Sequence, residues 1–355
     1  MVVGDAERLA GQLLVVGFDG ISAPRELVHE IASGAIGGVI LFKRNVTDDL
    51  AQVAELNASI ARAALPDMPV LISIDQEGGR VRRLRAGVAQ IPPMLELRLL
   101  DASALTEIAE VVSTELLALG FTMSFAPVLD VHSNERNPII GDRAFGTDAA
   151  TVSVRALAYA EGMRHAGLLS CGKHFPGHGD TSQDSHLGLP VVVHDNARLR
   201  AVELAPFAAA AAAHLDALMT AHVVYPAWDG APATLSRKIS HDLLRIELGF
   251  EGVLFSDDLE MKALSSRMTY AESAVRAVQA GCDALLVCSQ ESAWSEAREA
   301  MARRIADDAD FRARCLEAQG RFVTMRRRCP PRAPDAAGIG TVRSKRAERL
   351  ARGDS

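Results

Sequence analysis

The stretch Lys173-His-Phe-Pro-Gly-His-Gly-Asp-Thr-Ser-Gln-Asp-Ser-His-Leu-Gly-Leu-Pro190 gathers three histidines, two aspartates and a lysine among glycines and prolines. Those glycines and prolines break helix and strand, so the segment reads as a polar loop after a buried strand. Histidine suits proton transfer near neutral pH. Asp184, two residues before His186, can orient that ring and raise its basicity, as a general acid/base requires. Gly177, Gly179 and Gly188 suggest a loop able to swing over a substrate. His174, His178, Asp180 and His186 are also metal-ligand types, but their spacings match no common ligand motif.

Further chemistry-bearing residues stand elsewhere. Asp257 and Asp258 lie in Gly252-Val-Leu-Phe-Ser-Asp-Asp-Leu-Glu-Met261. A carboxylate held ionised there suits a nucleophile; capping of the next helix is the alternative for Asp257 and the expectation for Asp258. In Asp75-Gln-Glu-Gly-Gly-Arg-Val-Arg-Arg83, Asp75 can accept from hydroxyls and Arg83 can donate to them, unless the segment is an ordinary solvated helix start. Gly141-Asp-Arg-Ala-Phe-Gly146 presents Arg143, for which a structural salt bridge is the alternative. His222 could equally be a satisfied histidine at a strand end.

Such residues need a frame. Continuous apolar runs recur at 12–16, 38–42, 70–74, 122–126, 168–171, 217–220, 253–255 and 284–287. Unbroken rather than alternating hydrophobicity marks strands covered on both faces. Amphipathic or alanine-rich stretches lie between them, as at 47–64, 102–119, 151–165, 196–214 and 271–280. Strand alternating with helix eight times predicts an α/β protein, a single (β/α)8 TIM barrel, with a doubly wound open sheet as the alternative. Asp75, Asp130, Lys173 with His174, His222, and Asp257 with Asp258 follow five consecutive runs, and a barrel brings such ends to one face.

The remaining features bound the class. The 355 residues carry a formal charge of −7, which argues against a nucleic-acid partner. Five cysteines, without CxxC spacing, suit reduced thiols. Asp5 and Glu7 stand where a secretory signal would be basic, and no apolar stretch reaches the roughly 18 residues that span a bilayer. A cytoplasmic protein without membrane insertion is expected, as a monomer. The barrel domain is expected at residues 1–325, followed by a poorly ordered, arginine- and proline-rich tail at 326–355.

The 173–190 motif resembles the signature of glycoside hydrolase family 3, in its β-N-acetylglucosaminidase (NagZ-like) branch. So do Ile74-Asp-Gln-Glu-Gly-Gly-Arg-Val81, Phe125-Ala-Pro-Val-Leu-Asp130, Gly141-Asp-Arg-Ala-Phe145 and Phe255-Ser-Asp-Asp-Leu-Glu-Met261. The likeness runs in order over about residues 8–325. It implies a TIM barrel with Asp257 as nucleophile and His186, paired with Asp184, as acid/base. By the same likeness Asp75, Arg83, Arg143, Lys173 and His174 bind a non-reducing-end N-acetylglucosamine. Asp258 stands where the β-glucosidase branch typically carries tryptophan. The implied reaction is retaining removal of terminal N-acetylglucosamine from a small carbohydrate, with muropeptides of peptidoglycan recycling as the suggested substrate and no metal or other cofactor. A β-N-acetylglucosaminide phosphorylase is the nearest alternative, because a histidine acid/base repels phosphate less than a carboxylate does. A metal-dependent barrel hydrolase and a catalytically silent carbohydrate-binding barrel are the others.

Overall fold

The computed structural model describes residues 4–182, 188–335 and 339–353. Eight strands form one sheet: β1 (Leu14–Val16), β2 (Gly38–Leu41), β3 (Leu71–Ile74), β4 (Met123–Ser124), β5 (Leu169–Phe175), β6 (Ala217–Thr220), β7 (Val253–Phe255) and β8 (Leu285–Val287). Every pairing is parallel and follows chain order, and β1 pairs with β8. A bridge between Phe255 and Ala284 joins β7 to β8 and closes the ring. The predicted (β/α)8 barrel is the fold, and each of the eight apolar runs overlaps a strand.

Side chains alternate across a strand, and the core divides accordingly. Val15, Ile40, Leu71, Met123, Leu169, Met219 and Leu286 fill the barrel, whereas Leu14, Val16, Val39, Leu41, Ile72 and Leu218 face the surrounding helices. Those helices are α1 (Arg25–Ala32), α2 (Leu50–Ala63), α3 (Ala102–Ala118), α4 (Ala149–Ala166), α5 (Ala205–Ala212), α6 (Tyr270–Ala280), α7 (Glu291–Asp307) and α8 (Ala309–Arg328), with a π-helix at Lys238–Glu247 between β6 and β7. Asp49, Asp101 and Asp148 start α2, α3 and α4 by accepting from backbone N–H groups of the first turn.

Two expectations about the C-terminus are corrected. Arg326, read as the start of the tail, is buried at the N-terminal end of the barrel, where it donates to Gly37 O at 2.5 Å and to Gln12 Oε1 at 2.7 Å. Burial pushes its guanidinium down to about 9. The helix packed on the barrel thus continues past residue 325, to Arg328. Farther on, the segment expected to be poorly ordered forms α9 (Val342–Arg352) against α3. Buried Glu115 of α3 accepts from Gly340 N at 3.0 Å and from Ser344 Oγ at 2.6 Å, while its other oxygen accepts from Ala89 N at 2.7 Å. Ala347 and Ala351, one turn apart, supply a narrow buried stripe. Composition hid this helix because its remaining positions are mostly charged. Among the described residues no helix is long and apolar enough to cross a membrane.

Candidate active site

The C-terminal ends of the strands surround a cavity of ≈ 240 Å³ whose walls include Asp75, Glu77, Arg83, Arg143, Lys173, His174, Asp257 and Asp258. Just past β3, Gln76–Gly78 pairs with Val81–Arg82 as an antiparallel ribbon, turning through Gly78 and Gly79, both at positive φ. Extended backbone puts Asp75 and Glu77 on one side. Gln76, between them, accepts from Arg83 N at 2.9 Å and Leu84 N at 3.1 Å, and so fixes the ribbon.

Three cations meet these two carboxylates. Lys173 Nζ lies 2.8 Å from Asp75 Oδ1 and 2.7 Å from Glu77 Oε1. Arg83 Nη2 is 2.7 Å from Asp75 Oδ2. Arg143 grips Glu77 in a fork, Nε to Oε2 at 2.9 Å and Nη2 to Oε1 at 2.8 Å. Burial by itself would raise Asp75, but Lys173 and Arg83 overcome it and hold the carboxyl well below its usual range. Burial likewise opposes Arg143 and Lys173 at Glu77, which settles at about 2. Lys173, which burial would lower, is raised instead by Asp75 and Glu77. Each of the five side chains thus has an oppositely charged partner within the cluster, which holds three cations against two carboxylates.

On the β4 side, fully buried Asp130 holds β5 and the loop after it. Its Oδ2 is 2.7 Å from His174 Nδ1 and its Oδ1 accepts from His178 N at 2.6 Å. Burial would raise this carboxyl; the His174 ring and these bonds bring it below its ordinary value. A carboxylate partner makes Nδ1 the protonated nitrogen of His174. His178 Nδ1 is 2.8 Å from Thr181 Oγ1, and burial, with His174 beside it, pushes its pKa down to about 4. Asn137 Nδ2 donates to the carbonyls of His178 and Gly179. A Cβ at residue 179 would stand 1.6 Å from Val131 O. Gly179 is therefore there for close packing, which corrects its reading as a hinge. Asp180 Oδ2 pairs with His194 Nε2 at 2.7 Å.

Asp257 follows β7, and its Oδ1 accepts from Asp258 N at 2.8 Å. The expectation that Asp258 caps the next helix is corrected: that short helix begins at Lys262 with no side-chain cap. Asp258 Oδ1 instead accepts from Glu260 N at 3.1 Å and, across to β8, from Cys288 N at 3.2 Å. Burial, with the charges of Glu260 and Asp257, pushes this carboxyl up to about 7. Buried His222 supports the segment from β6, with Nδ1 2.7 Å from Thr234 Oγ1 and Nε2 2.9 Å from Asp258 O.

Residues 6–313 match the family described as Glycosyl hydrolase family 3 N terminal domain. The chain belongs to glycoside hydrolase family 3. A β-hexosaminidase of Pseudomonas aeruginosa is 43% identical over 272 residues, covering 76% of this chain and 80% of the relative. A family 3 β-N-acetylglucosaminidase from Paenibacillus sp. superposes with a TM-score of 0.91 at 38% identity, over 98% of this chain and 68% of that one. NagZ from Neisseria gonorrhoeae, in complex with N-trifluoroacetyl-D-glucosamine, gives a TM-score of 0.81 at 33% identity, over 96% of this chain and 98% of that one.

In this glycoside hydrolase the structure brings Asp75, Arg83, Arg143, Lys173, His174 and Asp257 to one cavity. Asp184 and His186 lie outside the described residues. Among the described residues, no three His, Cys, Asp or Glu side chains are grouped as a metal ion would need. Sequence reasoning passed over Glu77, although its place two residues after Asp75 on extended chain was a usable cue. Asp130 stands visibly at a strand end in the sequence, but nothing in its spacing announces a bond to β5.

Proposed function

We propose that this glycoside hydrolase is a retaining exo-β-N-acetylglucosaminidase. The ion-paired cluster around Asp75 and Glu77 carries the reading, because each charged group already has a partner and still presents donors or acceptors that neutral hydroxyls can use. The β-hexosaminidase relatives support the aminosugar. A cavity of ≈ 240 Å³ is smaller than the roughly 300–1,000 Å³ of drug-sized ligand pockets, which suits one terminal ring rather than a chain.

In the proposed reaction a carboxylate oxygen of Asp257 attacks the anomeric carbon as the bond to the leaving oxygen breaks. His186, as imidazolium oriented by Asp184, gives its proton to that oxygen. Neutral His186 then takes a proton from water, whose oxygen attacks the same carbon and frees Asp257 and the sugar. Retaining enzymes usually assign both tasks to carboxyl groups; here the acid/base is a histidine. Asp75, Arg83, Arg143, Lys173 and His174 hold the ring. Muropeptide fragments in the cytoplasm are the proposed natural substrates, and the free, buried cysteines agree with a reducing compartment.

The test combines trapping with turnover. A fluorinated N-acetylglucosaminide that stalls the glycosyl-enzyme should label Asp257; a label on another residue overturns the assignment. Aryl N-acetyl-β-glucosaminide should turn over far faster than aryl β-glucoside, at a rate independent of inorganic phosphate. Phosphate-dependent formation of a sugar 1-phosphate would establish the phosphorylase reading, which a histidine acid/base favours.

A further inference from the structure

Asp258 is tied into the site through nearly all of its polar atoms. Its N–H donates to Asp257 Oδ1, its carbonyl accepts from His222 Nε2, and its Oδ1 accepts from Glu260 N and Cys288 N. One residue therefore links the exit of β7 to β6 on one side and to β8 on the other. We propose that Asp258 is the positioning residue for Asp257: its carboxyl, spanning to β8, sets the direction of the N–H that grips Asp257 Oδ1. The proposal rests on Asp257 being the nucleophile.

The carboxyl's state follows from its neighbours. Oδ1 already accepts two N–H bonds, so a proton on this group belongs to Oδ2, which then becomes a donor at the cavity wall. Asp257 and Glu260 face it from its own segment, and both disfavour its charge. Tyr270 on α6 and Cys288 beyond β8 also feel it, and their acidity is suppressed first by burial and further by the Asp258 carboxylate. His222, from the end of β6, meets its backbone carbonyl. Among the described residues Asp258 makes no ion pair, and its pKa stands at about 7. Below that pH Asp258 presents an O–H at the cavity wall; above it, its charge is opposed by Glu260 and Asp257 beside it, which strains the grip on Asp257.

The experiment uses the full chain with Asp258→Ala and Asp258→Asn. The substrate is an N-acetyl-β-glucosaminide with an activated aryl leaving group, whose departure needs no acid, so that His186 does not enter kcat/KM. Asp258→Ala should lower kcat and kcat/KM together by ~100-fold with little change in KM, the scale of a misplaced reacting group. Asp258→Asn keeps the Oδ1 acceptor and puts an amide donor where the protonated carboxyl has its O–H. It should recover most of that loss below neutral pH, and the decline of wild-type kcat/KM above about pH 7 should vanish in it. Near wild-type kcat in Asp258→Ala, an Asp258→Asn as slow as Asp258→Ala, or an unchanged alkaline decline in Asp258→Asn would each overturn the proposal. If Asp258→Ala does not fold, Asp258→Asn is read against wild type: a ~100-fold lower kcat/KM below neutral pH, or an unchanged alkaline decline, overturns the proposal. Mapping the fluorosugar adduct separates the two readings: a label away from Asp257 removes the nucleophile assignment. A label on Asp257 formed at the wild-type rate in Asp258→Ala removes the positioning role alone.

Discussion

Asp75 sits between two cations, Lys173 and Arg83, with both of its oxygens in use and little of the side chain open to solvent. Replacing it by asparagine preserves shape but points an amide N–H₂ group at one of those cations. Hydrogen bonds involving a charged group contribute about 1.5–3 kcal/mol, so kcat/KM for aryl N-acetyl-β-glucosaminide should fall roughly 10- to 100-fold in Asp75→Asn. Steady-state kinetics on both proteins measure this, and unchanged kcat/KM would remove Asp75 from sugar binding. Asp75 was legible in the sequence because it is an acid at the end of an apolar run. For Glu77 the sequence offered its place on the same face but not its work, which depends on meeting Arg143, 66 positions away, and Lys173 on another strand. Spacing along a chain says which side chains share a strand face; it does not say which strand brings a partner.

At the scale of elements, the eight strands could be read directly because each overlaps a largely apolar run, as a strand buried on both faces should. α9 could not, since its buried face comes down to two alanines and the polar atoms above Glu115. That carboxylate is where the helix can be tested. Glu115→Ala leaves Gly340 N, Ser344 Oγ and Ala89 N without their acceptor. An unsatisfied buried donor costs about 1–3 kcal/mol, and relaxation toward water recovers part of it, so a net loss of ~2–4 kcal/mol is expected. Denaturant unfolding should show that loss, and limited proteolysis should cut faster between α8 and α9. Wild-type values in both would mean that Glu115 does not fasten α9. The glycine-rich loop shows the opposite error: Gly179 suggested freedom, but the lack of a side chain there lets the chain lie against Val131.

For the whole molecule, the charge cluster at the barrel mouth ties stability to acidity. Glu77 titrates at about 2 in the folded protein, below the ~4.3 of an unfolded glutamate. Its contribution is complete above that unfolded value and disappears as pH falls toward 2; Asp75, lowered for the same reasons, acts in the same direction. The melting temperature should therefore drop steeply on acidification through this window. Glu77→Gln should melt well below wild type at neutral pH, since breaking a buried pair typically costs about 3–5 kcal/mol. It should also respond less to acid over the same window. Melts recorded across the acid range decide it, and an acid slope equal to that of wild type would mean that Glu77 is not the source.

The bond between Arg326 and Gln12 joins positions 314 apart. The base of the ring cannot be locked until the chain has been made as far as Arg326. Loop-closure entropy grows only slowly with length, yet it must be met before the distant contacts that reward it exist. Until the stretch carrying β8 emerges, β1 offers an unpaired edge to any strand that arrives first. The interval in which this edge lies open is thus the enzyme's own translation, when whatever shields nascent chains bears on its yield.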